Sequence, residues 1–358
     1  MPPAEPGHRF RELELIDTQS GGDVSRIVIA GVGELPGATL HEQVRYLESE
    51  GDGLRRLLLN EPYGDPAMSV DLIVPPKRPE AAAGYIIMEA MGYPLYSGSN
   101  TICTATAVLE SGRVPLREGT QEVVLESPAG LARITAVSDG TRVHSITTRG
   151  EPAYVSARDL TIDVAPYGTV RYDVVWSGAF FALVHADEHG FGITRDEQVA
   201  LAAFGDAFVR AARPEFVEVH PDLGDVGPLP FVHFCGPVEQ VADDGYRSRS
   251  ATYVHPGVIC RSPTGTGTSA RMARMYERGQ LGQGQWLETV SPRDTSFRGT
   301  VLGEAQVGPH AALDTHITGR AYTLAHSRIV VDLDDPLVDA SDLEHLLTTA
   351  PALPTSGT

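Results

Sequence analysis

Short runs of hydrophobic residues, separated by glycine, proline and polar turn residues, dominate the pattern of this chain. Runs rich in valine, isoleucine and aromatic residues predict β-strands, whereas hydrophobic positions recurring every three to four residues predict helices. The first half predicts two helices, at residues 39–48 and 53–59, and strands at residues 13–16, 26–30, 73–74, 85–88, 121–125, 131–137 and 141–147. After residue 152 the pattern begins again, with strands at residues 172–175, 180–185 and 231–234 and a helix at residues 197–211. This mixture predicts an α/β fold of the α+β kind.

A repeated motif relates the two halves. Ser97-Gly98-Ser99-Asn100-Thr101 begins a helix-like stretch that ends before Gly112, and Thr264-Gly265-Thr266-Gly267-Thr268 begins another that ends before Gly279. Matching residues are 167 positions apart, as in 264 − 97 and 279 − 112. A duplicated half explains this constant offset economically.

Each copy places small hydroxyl residues and glycine before a helix of about 14 residues. Free N–H groups at a helix start, with the positive end of the helix dipole behind them, bind a carboxylate or phosphate, and glycine lets the backbone approach closely. One such loop alone is typical of an ordinary Ser/Thr helix cap. Two in the same register favour a binding site for a small anion, and the candidate residues are Ser97 and Thr264 for catalysis and Gly98, Ser99, Asn100, Cys260, Gly265 and Thr266 for substrate binding.

Length, charge and the spacing of cysteines and histidines argue against several classes of function. A length of 358 residues predicts two domains, and a net charge of −19 argues against a nucleic-acid partner. No apolar run reaches the roughly 18 residues of a membrane span, and the first eight residues have no apolar core of a secretory signal, so we expect a cytoplasmic protein. The three cysteines lack metal-type spacing, and His185 and His189 lack a third ligand, so we expect no metal.

Several segments together indicate a family. The segment Arg261-Ser262-Pro263-Thr264-Gly265-Thr266-Gly267-Thr268-Ser269-Ala270-Arg271 resembles the second active-site motif of the proline racemase family, which includes hydroxyproline epimerases and trans-3-hydroxyproline dehydratases. Further similarities occur at residues 16–17, 60–62, 88–89 and 319–322, so they span almost the whole chain.

The resemblance implies two pseudo-symmetric lobes of the diaminopimelate-epimerase type, each a sheet curled around a central helix, with the ligand in the cleft between the helix starts. The first lobe would comprise residues 1–150 and about 310–358 and carry Ser97, and the second would comprise residues 151–309 and carry Thr264. Members of the family use no cofactor. Their side chains alone remove the proton next to the carboxylate of a proline-like amino acid. A homodimer is one assembly compatible with the sequence.

Four positions depart from the family pattern. Racemases and epimerases of the family have cysteine at both positions occupied here by Ser97 and Thr264, whereas the dehydratases keep the first cysteine and have threonine at the second. A thiol has a reference pKa of about 8.5 and supplies thiolate near neutral pH, which a hydroxyl does not. Ser99 and Cys260 replace a histidine and an aspartate, and that aspartate holds the ring ammonium in the family. Cys260 is either a replacement base or a small residue filling space, and we favour the second reading.

Three functions remain open at this point. The first is a lyase resembling trans-3-hydroxy-L-proline dehydratase, in which Ser97 accepts or positions the proton and Thr264 hydrogen-bonds the departing hydroxyl. The second is a racemase or epimerase acting on an unusual substrate. The third is a homologue that binds a small acid and has lost catalysis.

Overall fold

The hydrophobic runs of the sequence form strands, most of which extend beyond their predicted limits. The structure, a computed structural model, describes residues 9–348, so the first eight residues and the turn-rich tail beyond residue 350 lie outside the described residues. In the first half the strands are β1 (Phe10–Ser20), β2 (Asp23–Ala30), β3 (Ser69–Val74), β4 (Ala83–Met88), β5 (Glu118–Ser127), β6 (Gly130–Asp139) and β7 (Val143–Arg149). The remaining strands are β8 (Tyr154–Val164), β9 (Gly168–Trp176), β10 (Phe180–His185), β11 (Phe231–Ala242), β12 (Gly245–Val254), β13 (Val258–Ile259), β14 (Trp286–Val290), β15 (Ser296–Val307), β16 (His310–Gly319) and β17 (Ala321–Asp332).

Few helices accompany this sheet, which confirms the α+β class. They are α1 (Leu40–Glu50), α2 (Gly53–Leu59), α3 (Gly98–Glu110), α4 (Gln198–Ala212), α5 (Gly265–Glu277) and the single turn α6 (Ala340–Leu343). None of the helices within the described residues is long and apolar enough to cross a membrane.

The two halves repeat one strand order, which extends the sequence repeat to the whole fold. The first half runs β1–β2–β3–β4–β5–β6–β7, with β2–β3 and β4–β5 parallel and the other pairs antiparallel. The second runs β9–β10–β11–β12–β14–β15–β16, and its parallel pairs β10–β11 and β12–β14 stand at the same places in the order. Strand β17 flanks β1 as β8 flanks β9. The molecule therefore has two pseudo-symmetric lobes.

A seam between β7 and β16 joins the two series. Strand β16 pairs along its length with β15, and its last residues pair with β7. Strand β17 then crosses back to β1. The lobe boundary near residue 310 remains our proposal, and β16 lies at that boundary.

Each lobe encloses one nearly fully buried helix. Eleven of the thirteen residues of α3 and ten of the thirteen residues of α5 are buried. A helix that is enclosed on all sides needs apolar or small residues around its circumference, and α3 provides them. Around α3, Ile102 and Val108 pack against strands of the first lobe and against Phe297 of the second. Around α5, Met272 and Met275 pack against the second lobe.

In α5 two arginines are also buried, and each has a polar partner. Arg271 donates to the carbonyl of Gly236, and Arg274 pairs with Asp173.

The remaining helices cover the outside of the sheet and complete separate hydrophobic clusters. Leu40, Val44 and Leu47 of α1 pack with α2 over the first lobe. Phe204 and Phe208 of α4 pack over the second lobe. The outer helices leave α3 and α5 enclosed by the sheet, with their first residues directed to the cleft between the lobes.

Candidate functional site

The starts of α3 and α5 meet at the centre of the molecule. A Cβ atom placed on Gly98 would lie 3.6 Å from the Cα atom of Gly265, which is van der Waals contact. Glycine at both first helical positions therefore allows two helices from different lobes to approach end to end. The residues before them, Ser97 and Thr264, line one shared cavity.

Neither hydroxyl caps its own helix. Ser97 occupies the cap position without a side-chain bond to the helix backbone, and its Oγ atom lies 3.3 Å from Oγ of Ser99. Thr264 also makes no side-chain cap bond, and its Oγ1 atom is buried without a nitrogen or oxygen partner among residues 9–348. The arrangement therefore differs from a pair of ordinary Ser/Thr helix caps.

Both helix starts present free N–H groups. Among the described residues, no acceptor bonds the N–H groups of residues 98–100 or 265–267. These groups and the two helix dipoles make the junction electropositive without any cationic side chain. The junction can hold a carboxylate from two sides.

Backbone strain marks the second helix start. Thr264 has φ +65°, a left-handed conformation that a β-branched residue rarely adopts. Such a conformation costs on the order of 1–3 kcal/mol and persists where the surrounding structure imposes it. Ser262 helps to impose it, because its Oγ accepts a hydrogen bond from the N–H of Thr264 at 3.2 Å.

The cavity has a volume of about 630 Å³ and is built by both lobes. This volume lies within the usual range for a small-molecule site. Five of the residues predicted from the sequence line it, namely Ser97, Ser99, Cys260, Thr264 and Thr266. Gly98 and Gly265 are buried behind these residues, at the contact between the helices.

Asn100 does not line the cavity, contrary to its predicted place among the substrate-binding residues. Its side chain is buried within the first lobe. There its Nδ2 donates a hydrogen bond to Oε1 of Glu89 at 2.8 Å, and its Oδ1 accepts one from Ser25 at 2.7 Å. Its hydrogen-bonding capacity is used within the first lobe. Asn100 therefore orients Glu89, and Glu89 lines the cavity.

Two cavity carboxylates, Asp23 and Glu89, were missed as site residues by sequence reasoning. Glu89 directly follows β4, and its Oε1 accepts from Asn100 and, at 3.3 Å, from Ser69. Burial raises the pKa of Glu89, and the charge of Asp23 raises it further. Burial likewise raises the pKa of Asp23, against hydrogen bonds from Ser262 and from the backbone of Arg261 that lower it.

A glycine hairpin brings Asp23 to the cavity. Gly21 and Gly22 form the two-residue turn between β1 and β2, and both have positive φ angles, +61° and +101°. Such turns require positive φ at both central residues, which glycine adopts without strain. The turn packs against Ser262 and Pro263 of the other lobe, and Oδ1 of Asp23 accepts from the N–H of Arg261 at 2.6 Å. The sequence signals the hairpin, but it does not show where the hairpin docks.

The thiol of Cys260 lies among these acids. Burial, and then the charges of Asp23 and Glu89, raise the pKa of Cys260 well above its ordinary value. A protonated thiol is a poor base, which supports the space-filling interpretation. The other two cysteines, Cys103 and Cys235, are buried core residues.

A buried histidine supports the cavity wall on the side of α5. Thr252 lines the cavity, and its Oγ1 lies 2.8 Å from Nδ1 of His233. The ring of His233 lies under Gly267, where a Cβ atom would overlap it. Burial lowers the pKa of His233 to about 3, so the ring is neutral at physiological pH.

Metal-type clusters are not found in the part of the chain that the structure describes: no three or more His, Cys, Asp and Glu side chains are arranged to hold an ion. His185 ends β10, whereas His189 lies in the following turn with its ring against Phe204.

This chain is similar to several known proteins over most of its length. The family model described as proline racemase matches residues 15–340. A relative from Chromohalobacter salexigens, whose name states no activity, is 57% identical over 337 residues, 94% of this chain and 93% of the relative. A 4-hydroxyproline 2-epimerase from Agrobacterium fabrum is 34% identical over 331 residues, 92% of this chain and 94% of the relative. The solved structure of a hydroxyproline epimerase from Agrobacterium vitis, with bound trans-4-hydroxy-L-proline, superposes with a TM-score of 0.85 at 31% identity, covering 92% of this chain and 95% of that chain.

Proposed function

The chain belongs to the proline racemase family, and we propose that it removes the α-proton of a proline-like amino acid without a cofactor. The observation that carries this proposal is the end-to-end contact of α3 and α5 beside Ser97 and Thr264. A substrate carboxylate held by both helix starts has its charge partly neutralised. The negative charge that develops on it after loss of the α-proton is then stabilised where it forms.

Within this class we propose a lyase that acts on trans-3-hydroxy-L-proline. The Cα–H bond breaks and its proton passes to the protein, while the C3–O bond breaks and the hydroxyl leaves with a proton as water. The product is a cyclic enamine that tautomerises to an imine. Thr264 supports this outcome, because its buried Oγ1 has no nitrogen or oxygen partner among the described residues and could bind the 3-hydroxyl. Ser97 would accept or position the α-proton.

Epimerisation is the second candidate, and the 34% identical 4-hydroxyproline 2-epimerase favours it. That reaction needs an acid/base group on each face of the α-carbon. Hydroxyls at positions 97 and 264 are weak in this role, and the raised pKa of Cys260 disfavours its thiolate. The lyase needs only one such group and the epimerase needs two, so the lyase is the first choice.

The test incubates the protein in deuterated water with L-proline, trans-3-hydroxy-L-proline and trans-4-hydroxy-L-proline and follows product mass and α-deuteration. We expect loss of water from trans-3-hydroxy-L-proline alone. α-Deuteration with inverted configuration would replace the lyase by the epimerase, and binding without either change would identify a non-catalytic homologue.

Single and double variants test whether the activity lies in this cavity. Ser97→Ala is expected to abolish turnover, and Ser49→Ala, which removes an exposed hydroxyl on α1, is the matched control. Full activity of Ser97→Ala would remove this residue from the mechanism. The double variant Ser97→Cys, Thr264→Cys provides thiols in both lobes, and we expect it to gain α-deuteration of proline substrates.

A further inference from the structure

We propose that Asp23 and Glu89 together bind the protonated amine of the ligand, so that the cavity selects zwitterionic amino acids over plain carboxylic acids. This inference rests on the proposed function, since it concerns the same cavity. It assigns specificity to two residues of the first lobe that lie outside both repeated motifs.

The carboxylates of Asp23 and Glu89 have no cationic side chain paired with them among the described residues. Within residues 9–348 neither Asp23 nor Glu89 forms a salt bridge, although both are half-buried and desolvation raises the pKa of each. Arg261 acts on Asp23 through its charge and its backbone N–H, and the polar partners of Glu89 are the neutral side chains of Asn100 and Ser69. Buried carboxylates are costly unless a cation pairs with them. A ligand cation would provide this pairing.

The protein holds one oxygen atom of each carboxylate and leaves an oxygen atom of Glu89 available to a ligand. Asn100 and Ser69 both bond Oε1 of Glu89, which leaves Oε2 available to a ligand in the cavity. Asp23 is anchored through Oδ1 by the backbone of Arg261. Each carboxylate is therefore held in position by the protein while it faces the cavity.

The cavity combines hydrogen-bond donors and negatively charged acceptors in one space. The helix starts present N–H donors, whereas Asp23 and Glu89 present acceptors in the same cavity. An α-amino acid carries a carboxylate and an ammonium on one carbon, and it matches this arrangement. A metal ion does not, because Asp23, Glu89 and Cys260 do not converge as a ligand set within the described residues.

The experiment compares two probes that differ in one ring atom. L-Proline carries the ammonium, and tetrahydrofuran-2-carboxylate has an oxygen in its place with the same carboxylate. Titration calorimetry measures both with the wild-type protein, Asp23→Asn and Glu89→Gln. The exposed Glu118→Gln at the start of β5, outside the cavity, removes the same charge as a control.

We expect the wild-type protein and the control to prefer L-proline. Each site variant should lose about tenfold or more in affinity for L-proline, the usual effect of a hydrogen bond to a charged group. Affinity for the oxygen analogue should stay constant or rise, which also shows that the variants retain a folded cavity. Equal losses for both probes, or no binding of either probe to the wild-type protein, would overturn the inference.

Turnover separates this inference from the proposed function. If Glu89→Gln abolishes turnover while affinity for L-proline is unchanged, Glu89 is a catalytic base and the ammonium assignment is wrong. If ammonium selectivity follows Asp23 and Glu89 but no substrate loses its α-proton, the proposed reaction fails and the inference stands.

Discussion

Acidification should unfold the protein partly through His233. Its ring is fully buried, its Nδ1 is bonded to Thr252, and its pKa is lowered to about 3. In the unfolded chain the pKa of histidine is about 6.5. Between these two values the unfolded state binds one proton more than the folded state, so stability is complete above pH 6.5 and falls as the pH decreases. One pKa unit corresponds to about 1.4 kcal/mol, and His233 should therefore cost about 2 kcal/mol at pH 5.

Chemical denaturation at pH 7.5, 6.5, 5.5 and 5.0 measures this loss. His233→Asn keeps a polar group near the position of Nδ1 but cannot be protonated. Its stability is expected to be lower at pH 7.5, because the smaller side chain leaves a cavity, but it should lose about 2 kcal/mol less than the wild-type protein on going to pH 5. The exposed His345→Asn is the control. If His233→Asn and the wild-type protein lose equal stability between pH 7.5 and pH 5, protonation of His233 is not a cause of the destabilisation by acid.

Three further predictions concern the fold. Gly205→Ala should destabilise the second lobe by about 1–3 kcal/mol, since a Cβ atom would overlap the buried side chain of Tyr253; an unchanged melting temperature would contradict this packing. Arg274→Met should cost about 3 kcal/mol by leaving Asp173 buried with weaker pairing, and adding Asp173→Leu should recover part of the loss in the same denaturation assay. Burial raises the pKa of Asp71 in the folded protein, so ionisation of this carboxyl group favours the unfolded state. Asp71→Asn removes this effect, and relative to the wild-type protein it should gain stability as the pH rises, by up to about 1.4 kcal/mol per pH unit. Parallel pH profiles of this variant and the wild-type protein would contradict the last prediction.

Local patterns in the sequence predicted most of the elements of the first lobe and several of the second. The helix at residues 53–59 and the strand at residues 180–185 coincide with α2 and β10, and residues 197–211 differ from α4 by one position at each end. Strand β8 and all strands from β12 to β17 were not predicted. Much of β17 alternates between exposed and half-buried residues, so its strand pattern lacks a regular buried face.

The sequence repeat predicted that the two motifs meet because it records a symmetry of the whole fold. Residues 97 and 264 line one cavity, as the repeat led us to expect. Asp23 could not be found in the same way, because it reaches the cavity only when the Gly21–Gly22 turn packs against the opposite lobe. Asn100 lies inside the motif, yet its neighbours Ser25 and Glu89 come from other segments and turn its side chain away.

Strand β17 has a consequence for biosynthesis. It pairs with β1 over their full lengths, and Ser20 and Ala321 are partners 301 positions apart in the chain (321 − 20). On the ribosome β1 emerges early and keeps an open hydrogen-bonding edge until more than three hundred further residues have been made. Such an edge is prone to pair with other chains, so a nascent chain is exposed to this pairing until β17 has been made, and a chain that stops before residue 321 keeps this edge of β1 open.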